Sequence, residues 1–163
     1  GIGAGEGGNM WEYDLNDWEW GFRVNTWGVI NTINAFMPRL VAQNQEAHFV
    51  ITGSGNGAFL MLPDQPIYTA TKAAVVNLVR QAAMELAPYN VMVNGIAPGP
   101  FRTNIANGRI RQPEVEAEFA SMVPLGRIAA PQELKGLALL LASPASSFMT
   151  GTTIPIDGGI MAK

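Results

Sequence analysis

The sequence predicts an α/β protein built on parallel strands, and three observations carry that prediction. Short apolar runs stopped by glycine or proline recur at 48–52, 91–96 and 152–156, as strands buried in a sheet require. Helical patterns separate them, and such alternation lays helices on the faces of a parallel sheet. Hydrophobic residues make up 48% of the chain and charged residues 14%, so we expect burial on several sides, by partner subunits or by further sequence.

Residues 1–10 read as a loop. A long helical pattern runs from about Leu15 to Gln43, with Asp14 or Asn16 as N-cap; Gly21, Gly28 and Pro38 predict a kink or break. His48–Thr52 is the first strand, and 53–65 reads as an irregular loop. Pro66 then opens a helix to about Ala87, since proline fits the first helical turn. Its stretch from Lys72 to Ala87 looks apolar nearly all round, which predicts burial on more than one face. Val91–Ile96 is the second strand, ended by Pro98-Gly99-Pro100. One or two short helices are expected before Val123, and another over 131–142. The last strand, 152–156, is turned off by Asp157-Gly158-Gly159. Three strands make a poor doubly wound sheet by themselves.

The 163 residues suit one domain. A net charge of −3 without a Lys/Arg cluster argues against nucleic acid and anionic membranes as partners. The absence of cysteine excludes disulfides and thiolate metal sites, and we expect no metal. The run Leu137–Ala142 is too short to span a bilayer. The first residues are glycine-rich and acidic, unlike a signal peptide, so a cytoplasmic protein is expected.

The sharpest chemical feature is Tyr68-Thr69-Ala70-Thr71-Lys72. Residues four apart share a helix face, so phenol and ammonium can point into one site. A free tyrosine titrates near ~10, and a nearby cation is expected to lower that value. The bland alternative is a packed tyrosine beside a solvated lysine. Ser54 lies fourteen residues earlier, just past the first strand, where open α/β sheets place their ligands. Asn25 stands inside a helix, where asparagine has low propensity. Asn94 to Thr103 forms a strand ending in a rigid turn, and Thr150 to Gly159 closes the set.

In these features the chain resembles the short-chain dehydrogenase/reductase family, in its compact branch. Tyr68 and Lys72 match the family's Tyr-x-x-x-Lys, Ser54 its preceding serine, and Asn25 its tetrad asparagine. Pro98-Gly99 and Thr103 match the segment that meets the nicotinamide, and Asp157-Gly158-Gly159 the usual ending. Gly1 resembles the last residue of the family's Asn-Asn-Ala-Gly segment. The resemblance implies the C-terminal part of a Rossmann-type doubly wound parallel sheet, strands five to seven with flanking helices. It also implies that 1–163 is the catalytic and substrate-binding half of one domain. On this basis the chain is an NAD- or NADP-dependent oxidoreductase acting on an alcohol/carbonyl pair. Tyr68 is the general acid/base, Ser54 binds the substrate oxygen, Lys72 lowers the tyrosine pKa and holds the ribose, and Asn25 holds a relay water. Gly1, Asn25, Tyr68, Lys72, Pro98, Gly99, Phe101 and Thr103 contact the cofactor.

The Phe, Leu, Met and Val content of 55–63 and 100–125 suggests an apolar alcohol or ketone as substrate. The apolar helix and the resemblance together imply a homo-oligomer, a tetramer. Without the earlier strands, an isolated 163-residue polypeptide is expected to be poorly soluble and unable to bind NAD(H) or NADP(H). Two other readings stand beside this one: a truncated, catalytically silent remnant acting as an assembly module, and an epimerase or dehydratase sharing Tyr-x-x-x-Lys.

Two glycine patterns are decoys. Gly3 to Gly8 fits G-x-G-x-x-G but follows no strand, and Gly53 to Ala58 follows a strand but has Pro63 and Pro66 against an immediate helix. His48, with no carboxylate expected beside it, reads as structural. Trp11, Trp18, Trp20 and Trp27 read as interface or core packing. Met122, Met149 and Met161 read as core fillers.

Overall fold

The computed structural model describes residues 9–61, 63 and 65–162, apart from the side chains of residues 56, 58 and 106. Three strands, β1 (Ala47–Thr52), β2 (Val91–Pro98) and β3 (Thr153–Ile156), form a parallel sheet in the order β1-β2-β3. His48 pairs with Met92 and Gly95 with Thr153 in register. The α/β prediction and the strand positions hold. Gly1 and the Gly3–Gly8 pattern lie outside the described residues.

The expected long helix is one rod of three parts: α1 (Leu15–Phe22), a π-helical turn (Arg23–Trp27) and α2 (Gly28–Gln43). Asp14 caps it, its carboxylate accepting from the Asn16 N–H at 2.7 Å. The break falls at none of the three expected residues. It falls where the ladder takes in an extra residue, and α2 runs on through Pro38. The loop after β1 holds a one-turn helix, α3 (Gly55–Ala58), despite the two prolines.

Helix α4 (Pro66–Leu86) packs against β2. Val75, Val79, Ala82, Ala83 and Leu86 of α4 meet Met37 of α2, Ile51 of β1, and Val91 and Val93 of β2 in one core. The opposite stripe, Asn77, Arg80, Gln81, Met84 and Glu85, is exposed. The expectation of a helix apolar all round is therefore corrected: its polar residues fall at helical spacing on one outer face. β2 is buried along both alternations, so the face away from α4 is covered too. Helix α6 (Lys135–Leu141), with Leu141 fully buried, contacts β1 and β2. Asn94 on β2 is satisfied, donating to the Met149 carbonyl at 2.7 Å and accepting from Thr152 N–H at 3.3 Å. A 3₁₀ turn (Ile105–Arg111) and α5 (Pro113–Met122) fill the stretch where short helices were expected.

One contact sets the approach of the rod to α4. A Cβ at Gly21, which is buried, would overlap Cγ2 of Ile67. Gly21→Ala is therefore expected to destabilise by about 1–3 kcal/mol through overpacking. Ile67→Ala should relieve it, giving a coupling of about 1 kcal/mol in a double-mutant cycle read by denaturant unfolding. Additive single effects would show that the two residues do not meet.

Candidate active site

The carboxyl ends of the three strands build one floor. Gly53 N–H donates to the Ile96 carbonyl at 2.8 Å, and Gly99 N–H to the Ile156 carbonyl at 3.0 Å. Ser54, Pro98-Gly99 and Ile156-Asp157 thus come together at the end of the sheet where α/β folds bind ligands. The Asp157 carboxylate accepts from the N–H groups of Gly159 and Met161 at 2.9 and 3.0 Å. That turn brings the Met161 sulfur within 3.7 Å of where a Cβ on Gly55 would stand.

The first turn of α4 carries Tyr68 over this floor. Its hydroxyl donates to Ser54 Oγ at 3.0 Å, and Ser54 is buried. The Lys72 ammonium lies 5.8 Å from the centroid of the Tyr68 ring. Gly57, at φ +87°, lets the α3 loop reach α4: a Cβ there would stand 2.5 Å from the Thr69 carbonyl oxygen. So the decoy pattern 53–58 packs on α4, and Gly57 serves that approach.

Asn25 sits in the π-helical turn and is buried, and such turns gather at functional sites. Its Nδ2 donates to Thr71 Oγ1 at 3.0 Å. Thr71 Oγ1 donates to the Tyr68 carbonyl at 2.9 Å, and the Thr71 carbonyl accepts from Thr26 Oγ1 at 3.3 Å. Ser54, Tyr68 and Lys72 therefore come together past the end of β1, and Asn25 reaches the same helix through Thr71. Thr71 was missed, although a hydroxyl in mid-helix that can bond back to its own helix is a readable signal.

The electrostatics correct one expectation. Burial pushes the Tyr68 phenol above its ordinary value, and the Ser54 hydrogen bond offsets part of that rise. Burial pulls the Lys72 ammonium below its own. The Lys72 ammonium, 5.8 Å from the ring centroid, does not outweigh the burial of the phenol.

Phe101 is buried and bridges to Ala129, and the Thr103 hydroxyl accepts from Ile105 N–H at 3.3 Å. His48 sits between Glu46 and Ser146, at 3.2 and 3.4 Å, far along β1 from Ser54. It has a carboxylate neighbour after all, and the contacts are structural. Trp11, Trp20 and Trp27 are exposed, which excludes core packing for them, and Trp18 is half-buried. Met122 is exposed, so it fills no core gap.

A cleft of about 420 Å³ is lined by Arg102, Arg111, Glu116 and Arg127 and by none of the four catalytic candidates. Its arginines are already engaged. Arg102 pairs with Glu116 at 3.2 Å, Arg111 Nε donates to the Thr103 carbonyl at 3.1 Å, and Arg127 forks onto Glu133 at 2.7 and 2.8 Å. The last pair, with the Ala130 N–H, holds the Glu133 carboxyl down at about 2. This cleft is a braced seam of the fold.

Residues 1–161 match the family model described as Enoyl-(Acyl carrier protein) reductase. Oxidoreductase UcpA of Escherichia coli (strain K12) is 35% identical over 158 residues, covering 93% of this chain and 60% of that protein. A gluconate 5-dehydrogenase from Burkholderia cenocepacia J2315, solved with NADP and tartrate, is 30% identical with a TM-score of 0.89. The alignment covers 99% of this chain and 63% of that one. Carveol dehydrogenase from Mycobacterium avium, solved with NAD, is 25% identical with a TM-score of 0.90, over 100% of this chain and 63% of its own. The chain belongs to the short-chain dehydrogenase/reductase family, and its fold is part of that family's Rossmann-type sheet. It spans about 60% of the length of the curated relatives it matches.

The Ser54–Tyr68 bond has a measurable consequence. When the phenol ionises, the Ser54 hydroxyl can turn and donate to it, favouring the phenolate. Ser54→Ala is therefore expected to raise the Tyr68 titration midpoint further. Phenolate absorbance, with Tyr68→Phe as the blank, reads it; an unmoved or lowered midpoint would contradict the geometry.

Proposed function

We propose that residues 1–163 are the proton-transfer and substrate-binding half of one short-chain dehydrogenase/reductase domain, in a protein that interconverts an alcohol and a carbonyl with NAD or NADP. The observation that carries this reading is the 3.0 Å bond from Tyr68 to Ser54 at the carboxyl end of β1. When bound, the nicotinamide takes the hydride lost from the alcohol carbon or returns it to a carbonyl carbon. Tyr68 accepts the alcohol's proton in oxidation and gives it back in reduction. Ser54 donates a hydrogen bond to the same oxygen and stabilises charge developing there.

The residues fit a nucleotide. Among the described residues the Lys72 ammonium donates to no side chain or carbonyl, and it is partly desolvated. Such a donor suits ribose hydroxyls. Gly1, Asn25, Pro98, Gly99, Phe101 and Thr103 would line the nicotinamide, and Asn25 would hold a relay water. Exposed Phe59 and Met61, on the loop after Ser54, support an apolar substrate.

In the complete protein, Tyr68→Phe is expected to lower turnover by about 10³-fold or more, while affinity for NADH or NADPH stays within twofold. The assay offers carveol and D-gluconate with each cofactor, and carveol should give the higher kcat/KM. Near-normal turnover by Tyr68→Phe sinks the mechanism; a preference for gluconate sinks only the apolar substrate.

A homotetramer is part of the same proposal. Its support is the exposed stripe of Trp20, Val24 and Trp27 at helical spacing and exposed Met84 on α4. No helix among the described residues is long and apolar enough to cross a membrane. Light scattering should give four copies; a monomer at micromolar concentration would refute it.

A further inference from the structure

We propose that Thr71 is a positioning residue whose hydroxyl fixes the orientation of the Asn25 amide in the proton-transfer site. The inference rests on the role given to Asn25 above. A threonine hydroxyl has one proton and two acceptor lone pairs. Thr71 Oγ1 lies 2.9 Å from the Tyr68 carbonyl, three residues back on its own helix, where a helical threonine habitually spends its proton. Only lone pairs then face the rod. The Asn25 amide, 3.0 Å away, has to present its NH₂, because its oxygen there would set acceptor against acceptor. That choice directs Oδ1, the only side-chain acceptor Asn25 has.

Burial makes the choice binding. Thr71 is 0% exposed and Asn25 4%, so water is a poor substitute for either partner. One threonine thus ties three things together: the carbonyl of the proton-transferring Tyr68, the buried Asn25 amide, and the π-helical turn. A second bond, Thr26 Oγ1 to the Thr71 carbonyl at 3.3 Å, crosses the same contact without touching the Asn25 amide. It is the internal control.

The test compares Thr71→Val, Thr71→Ser and Thr26→Val in the complete protein, with ¹⁵N-asparagine labelling. The Asn25 side-chain amide is assigned by its loss in Asn25→Ser. Thr71→Val keeps the shape and removes the hydroxyl. It is expected to speed hydrogen exchange of the Asn25 amide at least tenfold. It should also lower kcat on the better of the two assay alcohols about tenfold, since small misplacements cost that much, with KM and NADH or NADPH affinity within twofold. Thr71→Ser should restore both, and Thr26→Val should leave both within twofold of the parent. If Thr71→Val folds poorly, Thr71→Ala carries the same expectation.

A slowly exchanging Asn25 amide in Thr71→Val overturns the proposal, as does a Thr26→Val variant that loses as much as Thr71→Val. If neither alcohol is turned over by the parent, it is the substrate assignment that fails, and amide exchange alone decides the role of Thr71.

Discussion

Everything at the site depends on the rotation of α4 about its own axis, and packing sets that rotation. Val75, Val79, Ala82, Ala83 and Leu86 bury one stripe of α4 against β1, β2 and α2. Each buried valine or leucine contributes about 1.5–3 kcal/mol, while a hydrogen bond such as Tyr68–Ser54 adds a net of roughly 1 kcal/mol. The apolar stripe therefore fixes the helix phase, and the polar contacts only trim it. At 3.6 residues per turn, the same phase sends Tyr68 and Lys72 toward the strand ends and Thr71 toward the π-helical turn. A slip of one residue in that phase would remove all three from their partners at once.

The chemistry of the site follows from what this burial does to charge. Tyr68 and Lys72 are both shifted toward their neutral forms, with desolvation the leading cause in each. Tyrosine and lysine in one apolar pocket do not stabilise each other automatically. A nearby cation favours the phenolate, but with Lys72 5.8 Å from the ring centroid the burial of the phenol still wins. The neutral phenol, hydrogen-bonded to Ser54, is the form the fold favours. In the reaction proposed above it is the form that would donate a proton to a carbonyl oxygen, whereas oxidation of an alcohol would need that proton removed first. The Ser54 hydrogen bond offsets part of the rise that burial imposes on the phenol.

Much of this was readable from the sequence, and the reasons are physical. The strands at 48–52, 91–96 and 152–156 were legible because a buried parallel strand is a short apolar run, whatever surrounds it. Tyr68, Lys72, Ser54 and Asn25 were legible as a motif in order; the first three meet, and Asn25 bonds Thr71 on the same helix. The π-helical turn was not, because adding one residue to a helical ladder leaves no periodicity to detect. The outer face of α4 was misread because Ala73, Ala74 and Leu78 are apolar yet only half-buried, so composition masked the polar stripe. The raised Tyr68 value was out of reach for a different reason. Spacing along a helix says which residues share a face, but the height of an ammonium over a ring depends on rotamers and on how deeply the helix is sunk.

The same distinction explains why Thr71 escaped notice while its neighbours did not. Tyr68 and Lys72 announce themselves by chemistry, one as an acid/base and the other as a cation. A threonine between them reads as a mildly unfavourable helix residue, a cost with no visible return. The return appears only in three dimensions, when a buried amide from an element some forty residues earlier needs a partner of defined polarity. Buried polar groups are costly unless fully bonded. Here the Thr71 hydroxyl on α4 receives the amide of the buried Asn25. Asn25 and Thr71 are in this sense one requirement written at two places in the chain: the hydroxyl receives a proton of the buried amide.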